Sequence, residues 1–204
     1  MNIGIDIDNT ITDTLPILKR YCKKYNDEEV KRNLVMHDEG FASYNLFDWT
    51  KEENMDFCIK YLEEVVLQAN LKENAKEVIK KLKDEGHTIN VISSRVAPMF
   101  KTPYETTEKY LKKHGIKYDN LLVGSINKKQ ICIENKIDVM MEDEPHYIEE
   151  LSETIPVIVF DYEFNKICNG KNIIRVNNWN EIYDIIENLK NNNDTVCNNG
   201  FCKV

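Results

Sequence analysis

No stretch of the 204-residue sequence approaches the ~18 consecutive apolar residues of a membrane span, which excludes a helical membrane protein. Met1 runs straight into an apolar strand without a charged leader and cleavage site, so a cytoplasmic location is expected. The six cysteines, Cys22, Cys58, Cys132, Cys168, Cys197 and Cys202, show no Cys-x-x-Cys spacing. The first three fall in segments that read as helices, where a free thiol packs as a small hydrophobe, so the cysteines indicate neither zinc nor a disulfide framework. Positive charge is scarce: 27 Lys and Arg against 35 Asp and Glu leave a net charge of −8. That balance disfavours nonspecific binding to nucleic acid or an anionic membrane, and an anionic substrate would need a local positive site. There is no internal repeat. What is present, 42% hydrophobic residues, suffices for a real core in one domain or a domain with an insertion.

The chain is organised around Ile3 to Thr12. Ile3, Ile5 and Ile7 supply the β-branched residues of a buried strand, and Asp6 and Asp8 put two carboxylates at its C-terminal end, where a parallel α/β sheet opens its binding crevice. Residues two apart on a strand share a face, so these acids repel unless a cation sits close or the chain leaves the strand between them. A divalent metal satisfies the first condition. The plainer alternative is that Asp8, Asn9 and Thr10 form a turn and cap the next helix.

Periodicity predicts helices over 15–25, 50–68 with a Thr50/Glu53 capping box, 73–85 closed by Gly86, 104–114, 128–135, 145–152 and 179–189. In the second of these, Met55, Ile59, Leu62 and Val66 form the expected buried stripe. Strands are predicted over 88–94, 120–123, 138–141, 156–160 and 173–176, and their alternation with helices implies parallel pairing. Residues 26–50 have no clear period and read as a loop or small cap. The Asn-rich segment 191–204 reads as a loose end.

Asp-x-Asp-x-Thr at the end of an N-terminal apolar strand resembles the first motif of the haloacid dehalogenase-like (HAD) phosphohydrolases. The small helical insertion, the Asp-Ile-Asp-Asn-Thr start and the Glu142-Asp143 pair look most like the 5′(3′)-deoxyribonucleotidase branch and its bacterial relatives, over about residues 2 to 190. The resemblance implies a Rossmann-like parallel α/β core formed by 1–14 and 70–190, a small helical cap over 15–69 after the first strand, and a C-terminal tail over 191–204. It also implies roles. Asp6 is the nucleophile and Asp8 the general acid/base. The Ser93 hydroxyl and Ser94 backbone N–H bind the transferring phosphoryl group. Lys128 binds phosphate, by the Lys-x-x-x-Cys…Ile-Asp spacing, with Lys129 as its rival. Mg²⁺ is held by Asp6, the Asp8 carbonyl and Asp143, and Glu142 supports its water shell. Glu144 is read as starting the next helix, where the helix dipole favours an acid.

The activity implied is a Mg²⁺-dependent phosphomonoesterase working through an aspartyl-phosphate, with a small phosphomonoester, most plausibly a 5′-nucleotide, as substrate. Phe41, Tyr44, Phe47 and Trp49 are candidates for stacking on a base, the alternative being that they form the cap's own core. Arg95 is a candidate substrate contact, the alternative being an exposed residue at a helix start. Other readings are a phosphatase for a sugar phosphate or other small metabolite, and a signalling receiver domain phosphorylated on Asp. Order argues against the receiver: its phosphorylated Asp ends a middle strand before the hydroxyl, whereas Asn120 to Gly124 carries none and the acid pair here follows the lysine. Dehalogenase and phosphonatase chemistry is disfavoured by Asp8. A homo-oligomer stays open.

Overall fold

The computed structural model of the chain describes residues 1–37 and 46–198. Phe41 and Tyr44 and residues 199–204 lie outside this range. Six parallel strands form one sheet in the order β5-β4-β1-β6-β7-β8, with β1 Asn2–Ile5, β4 Thr88–Ser93, β5 Asn120–Val123, β6 Val139–Met141, β7 Val157–Phe160 and β8 Ile173–Val176. A short antiparallel pair, β2 Thr12–Asp13 with β3 Asn70–Leu71, closes the base of the insertion.

Strand β1 is central because it is apolar on both faces. Ile3 and Ile5, with Ile7 just beyond the strand, pack under α4 Ala75–Asp84, α5 Pro103–His114 and α8 Trp179–Asn198. Gly4 faces the other way. A Cβ there would come within 2.6 Å of Met140 Sδ, so only glycine lets β6 and its side chains lie this close. On that second face α6 Lys128–Glu134 and α7 Pro145–Ser152 bury Cys132, Ile148 and Leu151 against Ile92 and Met140. Strands covered on both faces read as continuous apolar runs, which is why they were visible in the sequence.

The insertion contains α1 Leu15–Tyr25, a π-type turn over Asn26–Val30, α2 Lys51–Phe57, a second π-type turn over Cys58–Leu62, and α3 Glu63–Gln68. The Thr50/Glu53 capping box is present, with each backbone N–H bonded to the other residue's side chain. The expected stripe holds at Leu62, which packs inward, and at Val66, which is buried, and is corrected at Met55 and Ile59. Met55 and Ile59 are 48% and 49% exposed, while Phe57 and Val65 are buried and Cys58, Tyr61 and Leu62 pack beside them. The wide turn over Cys58–Leu62 holds more residues than an α-turn, so rows four apart, 57/61/65 and 58/62/66, stay aligned on the inner face. The C-terminal helix also differs from expectation: α8 continues past Leu189 to Asn198. Between Leu189 and Asn198 there is no glycine or proline, and each added residue extends an existing helix cheaply once it has nucleated.

Candidate active site

Parallel pairing brings the functional residues to one edge of the sheet. Ile5 pairs with Val91 on one side and Met141 on the other, so the residues one or two positions on, Asp6, Ser93 and Glu142-Asp143, emerge together at the C-terminal ends. The chain also leaves the strand between the two N-terminal acids. The Ile7 carbonyl accepts from the backbone N–H groups of Thr10, Ile11 and Thr12, a tight turn in which Asn9 takes a left-handed φ of 56°. The repulsion anticipated for two acids on one strand face is therefore relieved by geometry, and each acid finds a different cation.

Asp6 finds Lys128. The lysine is fully buried in the first turn of α6, and its Nζ donates to Asp6 Oδ1 at 2.6 Å and Glu142 Oε2 at 2.7 Å, with the Tyr147 ring 4.5 Å away. Lys129, one position on, points out to pair with Glu153 at 2.5 Å. Glu142 also accepts from the backbone N–H groups of Asp143 and Glu144 through Oε1, so it orients both the lysine and the start of the loop carrying Asp143. Asp143 Oδ2 accepts from Asn9 Nδ2 at 3.0 Å. Glu144 stands at the N-terminal boundary of α7 as expected.

The charges are unbalanced. Burial pushes the Asp6 carboxyl up to about 7, with Lys128 opposing and Glu142 and Asp8 adding to the rise. Asp143 is pushed well above the carboxylate range by burial and then by the charges of Asp6 and Glu142. Burial works against the Lys128 ammonium too, but the two carboxylates outweigh it and hold the group above its ordinary value. Three buried acids around one ammonium leave negative charge that either protons or a cation must neutralise. Asp6, Glu142 and Asp143 offer carboxylate oxygens that all lie within 4.8 Å of one another. An all-oxygen, buried, anionic donor set suits a hard divalent ion such as Mg²⁺.

Asp8 finds Arg95. Nε donates to Oδ2 at 3.1 Å and Nη2 to Oδ1 at 2.9 Å, a two-point grip, while Thr14 Oγ1 donates to Oδ1 at 3.0 Å. Arg95 is 4% exposed and also donates through Nη1 to Thr107 Oγ1 at 3.3 Å. Of the two readings of Arg95, the exposed helix-start residue is corrected: the guanidinium is buried, lines the cavity beside Asp8 and has its fork filled by that carboxylate. Ser93 is buried at the end of β4, where its Oγ accepts from the Arg95 backbone N–H at 3.4 Å, and Ser94 follows on the wall of the same cavity.

That cavity has a volume of about 500 Å³. Asp6, Asp8, Lys128 and Asp143 form its floor; Leu18, Cys58, Leu62 and Val66 from the insertion, with Met99 and Phe100 from the loop after β4, form the facing wall. Phe47 and Trp49 are not on it. They are 3% and 8% exposed, stack on each other at 5.3 Å, and pack with Tyr25 and Phe57 in the insertion's own core, with Trp49 Nε1 donating to Asn26 Oδ1. A segment this small needs its aromatics inside to hold together, and that demand overrides a base-stacking role. Sequence reasoning missed Asn9, which ties Asp143 to the N-terminus of α1 by also accepting from the Leu15 N–H, and Thr14. Polar residues just after an acid motif were the available signal.

A parallel sheet with buried acids, a lysine and a hydroxyl at its C-terminal edge, under a small helical insertion, is the arrangement of a haloacid dehalogenase-like (HAD) hydrolase. The chain belongs to the family described as "5′ nucleotidase, deoxy (Pyrimidine), cytosolic type C protein", whose model matches residues 1–192. It is 29% identical over 194 residues to a nucleotidase of Clostridium acetobutylicum, covering 93% of this chain and 95% of that one. It is 31% identical over 199 residues to YqfW of Bacillus subtilis, again covering 93% and 95%. Among solved structures, a haloacid dehalogenase-like hydrolase of Streptococcus pneumoniae superposes with a TM-score of 0.66 at 11% identity, covering 91% of this chain and 97% of that one. CbbY of Rhodobacter sphaeroides in complex with phosphate gives 0.61 at 13%, covering 89% and 95%. At such identities these two likenesses speak for the fold alone. No helix among the described residues is long and apolar enough to cross a membrane.

Proposed function

We propose that this nucleotidase-family enzyme is a Mg²⁺-dependent phosphomonoesterase that hydrolyses nucleoside monophosphates through a phosphorylated Asp6. The observation that carries the reading is the division of labour on the cavity floor: Asp6 against Lys128, Asp8 against Arg95, and Asp143 beside Asp6. Mg²⁺ held by the Asp6 and Asp143 carboxylates and the Asp8 carbonyl would neutralise phosphoryl oxygen charge. Asp6 attacks phosphorus in line, forming an Asp6–phosphorus bond as the bond to the leaving oxygen breaks. Lys128, which touches Asp6, and Ser93 stabilise the equatorial oxygens. Asp8 gives a proton to the leaving alkoxide and then takes one from the water that cleaves the acyl phosphate, restoring both groups.

The leaving group is read from the facing wall. Its insertion side is Leu18, Cys58, Leu62 and Val66, with Phe100 beside them, and none carries a charge. The cavity's buried cations, Lys128 and Arg95, are already engaged by carboxylates. Among the described residues a second phosphate or carboxylate on the substrate would find no free lysine or arginine in the cavity, which is costly, whereas a nucleoside has a flat, largely apolar face to offer. This favours nucleotides over sugar bisphosphates and small phospho-acids. Phosphate release from a panel of 5′- and 3′-mononucleotides, sugar phosphates and phospho-acids, with Mg²⁺ and with chelator, tests it. Activity confined to 5′-nucleotides and abolished by chelator is expected; sugar phosphates turned over better than every nucleotide would overturn the substrate assignment, and full turnover in chelator the metal assignment.

A further inference from the structure

At the opposite edge of the sheet, where β4 begins, a buried imidazole has no hydrogen bond among the described residues. His87 joins the end of α4 to β4, its side chain is 1% exposed, and neither ring nitrogen has a hydrogen-bond partner. Leaving a buried polar ring unsatisfied costs stability, and a fold retains such a group when something else satisfies it. Two acids stand close to it, with the α-amino group of Met1 and Lys190 also near. Glu187 on α8, its side chain 30% exposed, turns a buried Oε1 toward the ring, 3.7 Å from Nε2 and 3.9 Å from Lys190 Nζ, with no hydrogen bond among the described residues. Glu85, at the C-terminal end of α4, brings a third ligand atom, and the three lie within 4.8 Å of one another. The Tyr183 hydroxyl donates to Glu85 Oε1 at 3.0 Å and fixes that carboxylate from outside.

We propose that Glu85, His87 and Glu187 form a second metal site, for a divalent transition ion of the Zn²⁺ type, which ties α8 to the junction of α4 and β4. The spacing argues for ligands rather than a hydrogen bond. A separation of 3.7 Å is beyond hydrogen-bonding range. Two ligands about 2.0–2.2 Å from one tetrahedral ion stand about 3.3–3.6 Å apart, close to what is found. An imidazole with two carboxylates selects Zn²⁺ over Mg²⁺, which wants oxygen alone. Burial, then the α-amino group of Met1 and Lys190, keeps the ring on the neutral side, so a lone pair is available to a metal. Those two positive groups also repel an incoming ion, and the two carboxylates offset them. The floor acids, at the other edge of the sheet, take no part, and the site is independent of the substrate assignment.

The test is calorimetric titration of Zn²⁺ into the full chain with its floor acids saturated by Mg²⁺, in wild type, His87→Gln, Glu187→Gln and Asp143→Asn. Wild type and Asp143→Asn should each bind one Zn²⁺ that His87→Gln and Glu187→Gln do not. At a hundredfold excess over Kd the wild-type thermal midpoint should rise by about 5–10 °C, with no rise in the His87 variant. Glu85→Gln, a change at an exposed side chain, guards against misfolding of the buried variants and should weaken Zn²⁺ at least about tenfold. Zn²⁺ stoichiometry and affinity unchanged across the Glu85, His87 and Glu187 variants, or no Zn²⁺ binding by wild type, would overturn the proposal.

Discussion

Replacing Arg95 by Met removes the fork that grips Asp8 while keeping a buried side chain of similar length. Breaking a buried ion pair costs about 3–5 kcal/mol when the orphaned partner stays dry. Asp8 does not stay dry: its side chain is 31% exposed against 3% for Arg95, so water can replace the guanidinium and the loss of stability should be nearer 1–3 kcal/mol. The larger effect falls on turnover. Asp8 keeps only its bond from Thr14 Oγ1 and swings about a single contact, and an acid/base group worth about 10²–10⁴ in rate loses much of that once it is misplaced. Arg95→Met should therefore lower kcat on a 5′-nucleotide by about a hundredfold with KM nearly unchanged, because both oxygens of Asp8 occupy the fork and leave it no free reach to substrate. Steady-state kinetics on Arg95→Met, Asp8→Asn and the double variant checks the logic. If the arginine acts through Asp8, the double variant is no worse than Asp8→Asn alone. Losses that multiply, or a raised KM with kcat preserved, would show that Arg95 meets the substrate directly and that the reasoning is wrong.

Three further outcomes are expected. Lys128→Met should abolish phosphate release while Lys129→Met leaves it near wild type, since Lys128 Nζ touches Asp6 and Lys129 Nζ pairs with Glu153 at the surface; the reverse ranking would displace Lys128 from the site. Because burial pushes Asp6 up to about 7, protons compete with Mg²⁺ below that pH and leave as it is passed, so the half-saturating Mg²⁺ concentration should fall between pH 6 and pH 8, and a pH-independent value would contradict a buried carboxylate ligand. Trp49→Ala should destabilise the protein by about 3–5 kcal/mol and depress turnover of a nucleotide and a small aryl phosphate alike, whereas a raised KM confined to nucleotides would return Trp49 to the substrate side.

The parts of this protein that were legible in its sequence are those where one local constraint decides. Ile3, Ile5 and Ile7 read as a buried strand because β-branched residues suit it, and parallel pairing follows from the strand-helix alternation, while the register that sets Ile5 against Val91 and Met141 comes only from the structure. The Thr50/Glu53 capping box and the helix Pro145–Ser152 were visible for the same local reason. The hidden parts depend on which way a residue faces after two distant segments meet. Phe47 and Trp49 are as suitable for stacking on a base as for filling a core, and only the position of Tyr25 and Phe57 around them decides. Arg95 is separated from Asp8 by 87 positions, and nothing near Arg95 in the chain announces an acid.

That arginine changes how the whole charge balance is understood. A chain with a net charge of −8 was expected to need a positive site for its anionic substrate, and the expected answer was Lys128 with a metal. The floor instead uses its two buried cations to hold its own acids, Lys128 on Asp6 and Glu142 and Arg95 on Asp8. A lysine presents a compact charge on a flexible stem and can turn from a carboxylate to an arriving phosphoryl oxygen while remaining in place; a guanidinium already matched at two points to Asp8 gains nothing by leaving it. The two aspartates of the first motif are thereby separated by their partners as well as by the turn at Ile7. In the mechanism proposed above, Asp6, 6% exposed, sits against a cation able to follow the phosphoryl group, and Asp8, more exposed, is fixed in orientation where a proton has to pass in both directions. Attack and proton transfer place opposite demands on a carboxylate, and one Lys and one Arg, chosen in that order, meet them.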